Sequence, residues 1–394
     1  MFKHILLWIQ IIILIDVSTL YAKDIPKTPV NLDKAWEVMY TADFWNNTRG
    51  GLRHDSTYMD NIDLIFSPIT ENIGLWPAGQ FHVYVIGNNG SKKLSSEIVG
   101  DLQVASNIEA PRKWRLYEFW YEHKPTNSLN ILGGIHDYNS EFNVTEYGQL
   151  FLNSSFGIAP NVSLNARPGI FPLAAPGLRA KWRLNDRHTW LSGVYDGDQD
   201  NADIAEHFPR FDFDREGGVL VVSEISRSLN TNNPDAVKIG IWYNTGKFSH
   251  VVNLDEVGES EQHYNNLGAY AIFDKTLFKN DDNQRLGLFL QAGGAPSNIN
   301  LIDFYIGGGL NYQGLIPKRN DDSLGVAFAH ASLSDKLDGA QEHVRHETTI
   351  ELTYRAVVNE YFSLQPDLQW IINPGADPDL NNALVVGIRC ELAL

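Results

Sequence analysis

The chain has 394 residues, a single cysteine and a formal net charge of −17, from 48 acidic and 31 basic side chains. A lone cysteine excludes an intramolecular disulfide framework, and the acidic balance argues against a nucleic-acid partner. Mean hydropathy is −0.24, and no stretch beyond the N-terminus reaches the ~18 apolar residues of a membrane helix; this leaves a soluble protein, or a barrel whose strands alternate apolar and polar residues and so average out as polar.

Residues 1–22 differ from the rest. Lys3 and His4 form a weakly basic start, Ile5 to Ile15 is apolar apart from Gln10, and Leu20-Tyr21-Ala22 precedes the polar Lys23-Asp24. A charged start, a short apolar run and a small residue at the expected cleavage point make a secretory signal peptide. Asp16 and Ser18-Thr19 argue against an uncleaved anchor. Residues 23–394 then form the mature protein.

From Trp36 onward the dominant period is two. Trp36, Val38, Tyr40, Ala42 and Phe44 share one face, with Glu37, Thr41 and Asp43 on the other. Phe81, Val83 and Val85 oppose His82 and Tyr84. Glu118, Trp120 and Glu122 oppose Tyr117, Phe119 and Tyr121. Beyond the middle of the chain, Ile239, Ile241 and Tyr243 oppose Lys238, Trp242 and Asn244; Ile302, Phe304 and Ile306 oppose Asp303 and Tyr305; Ile350 and Leu352 oppose Glu347, Thr349, Glu351 and Thr353. Strand geometry sends successive side chains to opposite faces. Roughly 17 such candidates of about 8–11 residues can be counted, the length a tilted strand needs to cross a bilayer. Bacterial barrels use even strand numbers, so about 16 strands are expected, with 18 the alternative. Gly87-Asn88-Asn89-Gly90, Asn185-Asp186 and Asn373-Pro374-Gly375 read as tight turns. They alternate with longer polar segments such as 197–214 and 335–344.

One segment breaks the rhythm. Ser140 to Pro176 has no strand pattern and carries Pro160, Pro168, Pro172 and Pro176. A long irregular segment in a compact domain is usually functional; in a barrel it folds into the lumen as a constriction, or else covers the mouth. On the strand that follows, Leu178, Ala180, Trp182 and Leu184 oppose Arg179, Lys181 and Arg183. Charge facing lipid at the midplane costs about 2–4 kcal/mol, which sends the basic row to the lumen. The final strand puts Leu384, Val386, Ile388, Cys390 and Leu392 on a lipid face and Arg389 and Glu391 on the other. It must pair with the first strand, since an open edge in lipid leaves backbone groups unpaired. The fold expected is therefore all-β, a transmembrane antiparallel barrel.

A channel needs a water-filled path and groups that replace a solute's hydration. Arg179, Lys181 and Arg183 form a candidate basic wall, with Arg forks suited to hydroxyl oxygens. Asp137, Asn139 and Glu141 enter the irregular segment as candidate acceptors. Glu118, Trp120 and Trp242 are candidate lumen contacts, although aromatic residues also belong to the interfacial girdles. Asp196, Asp198 and Asp200 alternate as in a calcium loop, but Asn201 stands where glycine is needed and His207 where glutamate is needed; a solvated turn fits better. No nucleophile elbow, zinc-protease motif or phosphate loop is present, so neither an enzyme nor a cofactor is expected.

Several strings, in order, resemble the carbohydrate-selective porins of the OprB family. They include Gly50-Gly51-Leu52-Arg53, Gly74-Leu75-Trp76-Pro77, Val99-Gly100-Asp101-Leu102-Gln103 and Arg115-Leu116-Tyr117-Glu118-Phe119-Trp120. Further on come Gly134-Ile135-His136-Asp137, Phe151-Leu152-Asn153-Ser154-Ser155-Phe156-Gly157, Leu364-Gln365-Pro366-Asp367 and Gly387-Ile388-Arg389. The resemblance implies a 16-stranded outer-membrane barrel of a Gram-negative bacterium, an inward constriction loop, and passage of glucose and related sugars. The chain departs from the usual aromatic end of such barrels in finishing at Leu394. Its partners would be sugars in transit and outer-membrane lipid. A homotrimer is open to such a barrel, and the sequence does not decide it. The competing readings are a general or anion-leaning porin without a sugar site, and a soluble periplasmic sugar-binding β-protein.

Overall fold

The computed structural model describes residues 35–91, 93–197, 216–254, 260–280, 284–336 and 344–393. The expected signal at 1–22 lies outside them, as do Asp198, Asp200 and most of the polar segments 197–214 and 335–344. Sixteen strands follow in chain order: β1 (Trp36–Arg49), β2 (Ser56–Phe66), β3 (Gly79–Gly90), β4 (Lys113–Thr126), β5 (Leu129–His136), β6 (Ala175–Arg183), β7 (His188–Asp196) and β8 (Val219–Ser228), then β9 (Ala236–Leu254), β10 (Ser260–Lys279), β11 (Arg285–Gly294), β12 (Ile302–Gln313), β13 (Ser323–Leu333), β14 (His346–Asn359), β15 (Phe362–Ile372) and β16 (Ala383–Ala393). Each pairs antiparallel with the next, and β16 returns to β1 to close the barrel. The expected strand number and closure are both found.

Alternation sorts the side chains between two environments. On β6, Leu178 is 64% exposed on the outer wall while neighbouring Arg179 is 4% exposed inside. On β14, Ile350 and Leu352 face outward, and Glu347, Thr349, Glu351 and Thr353 are buried inside. Along β9 and β16 the outward rows are apolar too, with Ile239, Ile241 and Tyr243, and Val386, Ile388 and Leu392, while Asn244 and Arg389 are buried inside beside Trp242 and Val385. An outer wall this apolar suits hydrocarbon and not water.

Three expectations fail, two of them at bulges. On β4, Leu116 pairs with Val85 and Glu118 with Tyr84, so Tyr117 is an extra residue. Tyr117 and Glu118 are therefore both buried inside, although simple alternation put them on opposite faces. On β12, Ile302 pairs with Leu333 and Phe304 with Ser332; the extra residue turns Ile302 inward, away from the apolar row of Phe304 and Ile306. A bulge re-aims the side chains beside it. The third failure is Gly87–Gly90, which lies within β3 and is not a turn. Asn88 pairs with Asn61 across the β2–β3 ladder and donates to its side-chain oxygen at 2.8 Å.

The two barrel ends differ. At one, short connections such as 127–128, 184–187 and 360–361 join the strands; at the other lie the long connections 91–112 and 137–174. Short turns face the periplasm and long loops the outside in barrels of this kind. The closing seam carries a buried, bidentate ion pair. Arg389 Nε and Nη2 donate to Asp43 Oδ1 and Oδ2 at 2.8 and 2.9 Å. Trp45 Nε1 and Ser106 Oγ complete the Asp43 carboxylate at 3.1 and 2.7 Å.

Removing one member of a buried pair strands the other charge, at a cost of about 3–5 kcal/mol. Arg389→Ala should therefore lower the temperature at which the folded, fast-migrating band on gels converts to the unfolded one. The double variant Asp43→Leu/Arg389→Met should recover much of that loss. Single-variant melting identical to wild type would show that the pair does not hold the seam.

Candidate constriction and its lining

The segment 137–174 leaves β5 and crosses the lumen before entering β6, so it is the inward-folded segment. Its strand-side limit lies slightly earlier than Pro176, because Ala175 and Pro176 already pair with His136 and Ile135. It holds only short helical turns, at Tyr138–Ser140, Gly148–Leu150, Ser154–Gly157 and Pro160–Ser163. Most of its backbone groups must find partners elsewhere, and the barrel wall supplies them. Glu351 accepts the Leu152 and Asn153 N–H groups at 2.7 and 3.0 Å. Asp274 accepts those of Glu146 and Tyr147 at 3.0 and 3.2 Å. Glu224 takes the Asn143 N–H at 3.2 Å, and Glu118 the Asp137 N–H at 2.6 Å. In the opposite sense, Lys238 Nζ donates to the Val144 carbonyl at 2.6 Å and Gln365 Nε2 to that of Leu150 at 2.7 Å. Apolar packing adds to this: Phe142, Ile158, Val162 and Ala166 bury against Trp242, Tyr270 and Ile272 of the wall.

The connection 91–112 also turns inward, which the sequence reading missed. Glu347 accepts the N–H groups of Leu102 and Gln103 at 2.8 and 2.9 Å, and Gln369 Nε2 donates to the Ala105 carbonyl at 2.8 Å. Asn107 Oδ1 accepts from Arg389 Nη2 at 2.8 Å.

Between these two segments and the β1–β4 wall lies a cavity of about 560 Å³. Thr41, Asn61, Asp63, Tyr84, Tyr117 and Arg389 line it from the wall. Gln103, Ser106, Asn107 and Glu109 line it from the first segment, and Asp137, Asn139, Ser154 and Phe171 from the second. Tyr84 and Tyr117 meet edge to face with ring centres 5.1 Å apart, and Phe171 packs edge-on to Tyr117 at 6.1 Å. Tyr84 also donates to Asp63 at 2.6 Å. Donors, acceptors and aromatic surface thus share one cavity. Burial pushes the carboxyls of Glu109 and Asp137 up to about 7, the Asp101 carboxylate contributing at the first and Glu118 at the second.

The residues singled out from sequence divide into groups. Asp137 and Asn139 line the cavity. Glu141 does not; it pairs with Arg179 and with Lys181, the latter at 3.2 Å. Arg179 also donates to Glu122 at 2.8 Å, so its guanidinium sits in a carboxylate clamp between wall and loop. Lys181 is half-exposed, whereas Arg183 sits at the short-turn end and donates to the Asn127 carbonyl at 3.2 Å. Glu118 receives Trp120 Nε1 at 3.2 Å and lies 3.1 Å from His82 Nε2. The Trp120 ring stacks on His82 with centres 4.5 Å apart. Trp242 is 1% exposed beneath the inward segment. Asp196 ends β7, and no group of three or more metal-ligating side chains occurs among the described residues. The basic row faces inward, but its charge is largely consumed by ion pairing. The cavity is left acid-leaning.

A closed sixteen-stranded barrel with an apolar outer wall and a lumen narrowed by its own loops defines an outer-membrane channel of the porin class. Residues 53–394 match the model of the carbohydrate-selective porin, OprB family, and the chain belongs to that family. It is 24% identical to Porin B of Pseudomonas aeruginosa over 405 aligned positions, covering 91% of this chain and 88% of that protein. Its fold superposes on the high-pH structure of Pseudomonas putida OprB with a TM-score of 0.81 at 22% identity, covering 92% of this chain and 95% of that one. The outer-membrane channel DcaP of Acinetobacter baumannii shares the fold more distantly, with a TM-score of 0.53 at 8% identity over 91% and 96% of the two chains.

Two outcomes follow. Glu109 and Asp137 are neutral below about 7 and negative above it. Cation preference, measured as the reversal potential across a KCl gradient, should therefore rise between about pH 6 and 8. Asp137→Asn should remove part of that rise, and a flat profile would contradict the assignment. Separately, Glu351→Ala leaves two buried N–H groups without acceptors, at about 1–3 kcal/mol each. The inward segment should loosen, and single-channel conductance should become larger and noisier than wild type.

Proposed function

We propose that the cavity between the two inward segments is the selective step for passive passage of neutral sugars such as glucose. The observation that carries this reading is its lining. Asp63, Glu109 and Asp137 offer acceptors, Asn107 and Arg389 offer donors, and Tyr84, Tyr117 and Phe171 offer ring surface. Sugar hydroxyls both donate and accept, so a mixed lining replaces their hydration shell as they pass. Ring faces and edges provide apolar area for the C–H side of a pyranose. Arg389 spends Nε and Nη2 on Asp43 and Asn107, which leaves Nη1 for a solute. The alternative of an anion-leaning pore is disfavoured by the pairing of Arg179 and Lys181 with Glu122 and Glu141.

The test is single-channel recording in planar bilayers with glucose titrated on one side. Glucose should reduce the ionic current of wild type. Tyr117→Ala and Asp137→Ala should weaken that block about tenfold, equivalent to roughly 1.4 kcal/mol. Arg183→Ala, at the short-turn rim, should leave it unchanged. Free ionic current without any glucose block in wild type would favour a general porin.

A further inference from the structure

The outer wall is largely apolar, and near the loop end it carries a cation, Arg49. In β1 the odd-numbered residues Asp43, Trp45 and Asn47 point inward and are buried. Continued alternation would send Arg49 inward as well. The ladder with β16 instead shifts between Asn47, which pairs with Val385, and Arg49, which pairs with Leu384. The bulge turns Arg49 onto the outer wall beside Leu384. It makes no ion pair among the described residues.

Arg49 heads a row that the register carries across four strands. Leu384 pairs with Trp370, and Trp370 with Ile350; Leu368 and Leu352 form the next pair below. These side chains and Asn382 line an outward groove of about 420 Å³. A second, more polar cleft of about 790 Å³ adjoins it at the loop end and shares Arg49 and Asn382. Arg53, His54 and Asn381 line that cleft. Arg53 lies 3.5 Å from Asp55 and 3.6 Å from Glu97, and His54 Nε2 accepts the Gly50 N–H at 3.1 Å. The two clefts meet at the unpaired guanidinium, with polar surface above it and apolar surface below.

We infer that this composite groove holds one lipid of the outer leaflet, a phosphorylated and acylated glycolipid. Its phosphate sits at Arg49, its sugar head lies in the polar cleft, and an acyl chain lies along Leu384, Trp370, Leu368 and Leu352. The long-loop end faces the outer leaflet, so the site and this class of lipid are at the same depth. A lipid-facing arginine is costly at the midplane but tolerated at the interface, where an anionic headgroup attracts it. A bulge that redirects one cation is the sort of device that positions a side chain for a task. A chain of this family needs no such cation for sugar passage, because Arg49 lies outside the lumen.

The inference is tested by native mass spectrometry of the full barrel in detergent, with purified bis-phosphorylated lipid A as the probe. Wild type should retain one lipid A. Arg49→Ala should weaken retention about fivefold, the effect of one cation at an anionic lipid surface. Lipid A stripped of its phosphates should bind weakly and equally to both. Trp370→Ser should weaken both lipids, because it acts on the acyl contact. Heat-modifiable migration verifies that each variant is folded, and Arg49→Gln serves if Arg49→Ala is not. Equal retention of lipid A by wild type and a folded Arg49 variant would overturn the site. So would wild-type masses of an oligomer that Trp370→Ser converts to monomer, since a second copy of the chain would then cover the groove.

Discussion

The structure depends on carboxylates that point into a barrel and accept backbone N–H groups from loops without regular structure of their own. A segment crossing the lumen has no ladder and almost no helix, so its amides would be left unpaired in a narrow, partly dehydrated space. Glu347 and Glu351, four positions apart on the same face of β14, each accept two adjacent N–H groups, from Leu102 and Gln103 and from Leu152 and Asn153. Asp274 does the same from β10. A carboxylate has two oxygens and accepts only, so it suits a pair of neighbouring amides. Fixing the loops from the far wall turns a wide tube into a defined passage.

This anchoring redistributes the charge of the lumen. By itself, a net charge of −17 would surround the pore with a strong negative field. Many of the acidic groups are instead spent on backbone amides, on Arg179 and on Arg389. Arg179 and Lys181 are in turn matched to Glu122 and Glu141. What remains at the cavity is a moderate acidic excess beside hydrogen-bonding amides and aromatic rings. Such a surface interacts with a neutral polyhydroxylated solute without binding a counter-ion too tightly to release it.

The barrel was legible from sequence because the bilayer and the lumen are two solvents, and a period of two sorts residues between them. Leu178 and Arg179, or Ile350 and Glu351, declare their faces by chemistry alone. The irregular stretch after Ser140 was legible for the complementary reason, that alternation fails there. The positions lost were those set by single-residue insertions in the ladder. Tyr117 and Ile302 both sit beside bulges, and a bulge leaves the local composition unchanged while inverting the face. The Asn-rich Gly87–Gly90 stretch looked like a turn because a polar lumen-facing strand uses the same residues. The inward course of 91–112 was lost because it rests on contacts with Glu347 and Gln369, more than two hundred positions away.

The candidate site was accordingly half-visible. Asp137 and Asn139 adjoin the end of β5, so a local reading placed them at the loop entrance, where they do line the cavity. Glu141, a candidate acceptor, and Arg179, a candidate for the basic wall, are bound to each other. Sequence can show that opposite charges share a lumen; it cannot show whether their side chains meet, because that depends on where the intervening loop returns. Here the loop returns directly over β6 and brings Glu141 onto Arg179. The expected acceptor and the expected basic wall therefore form a latch between the loop and β6.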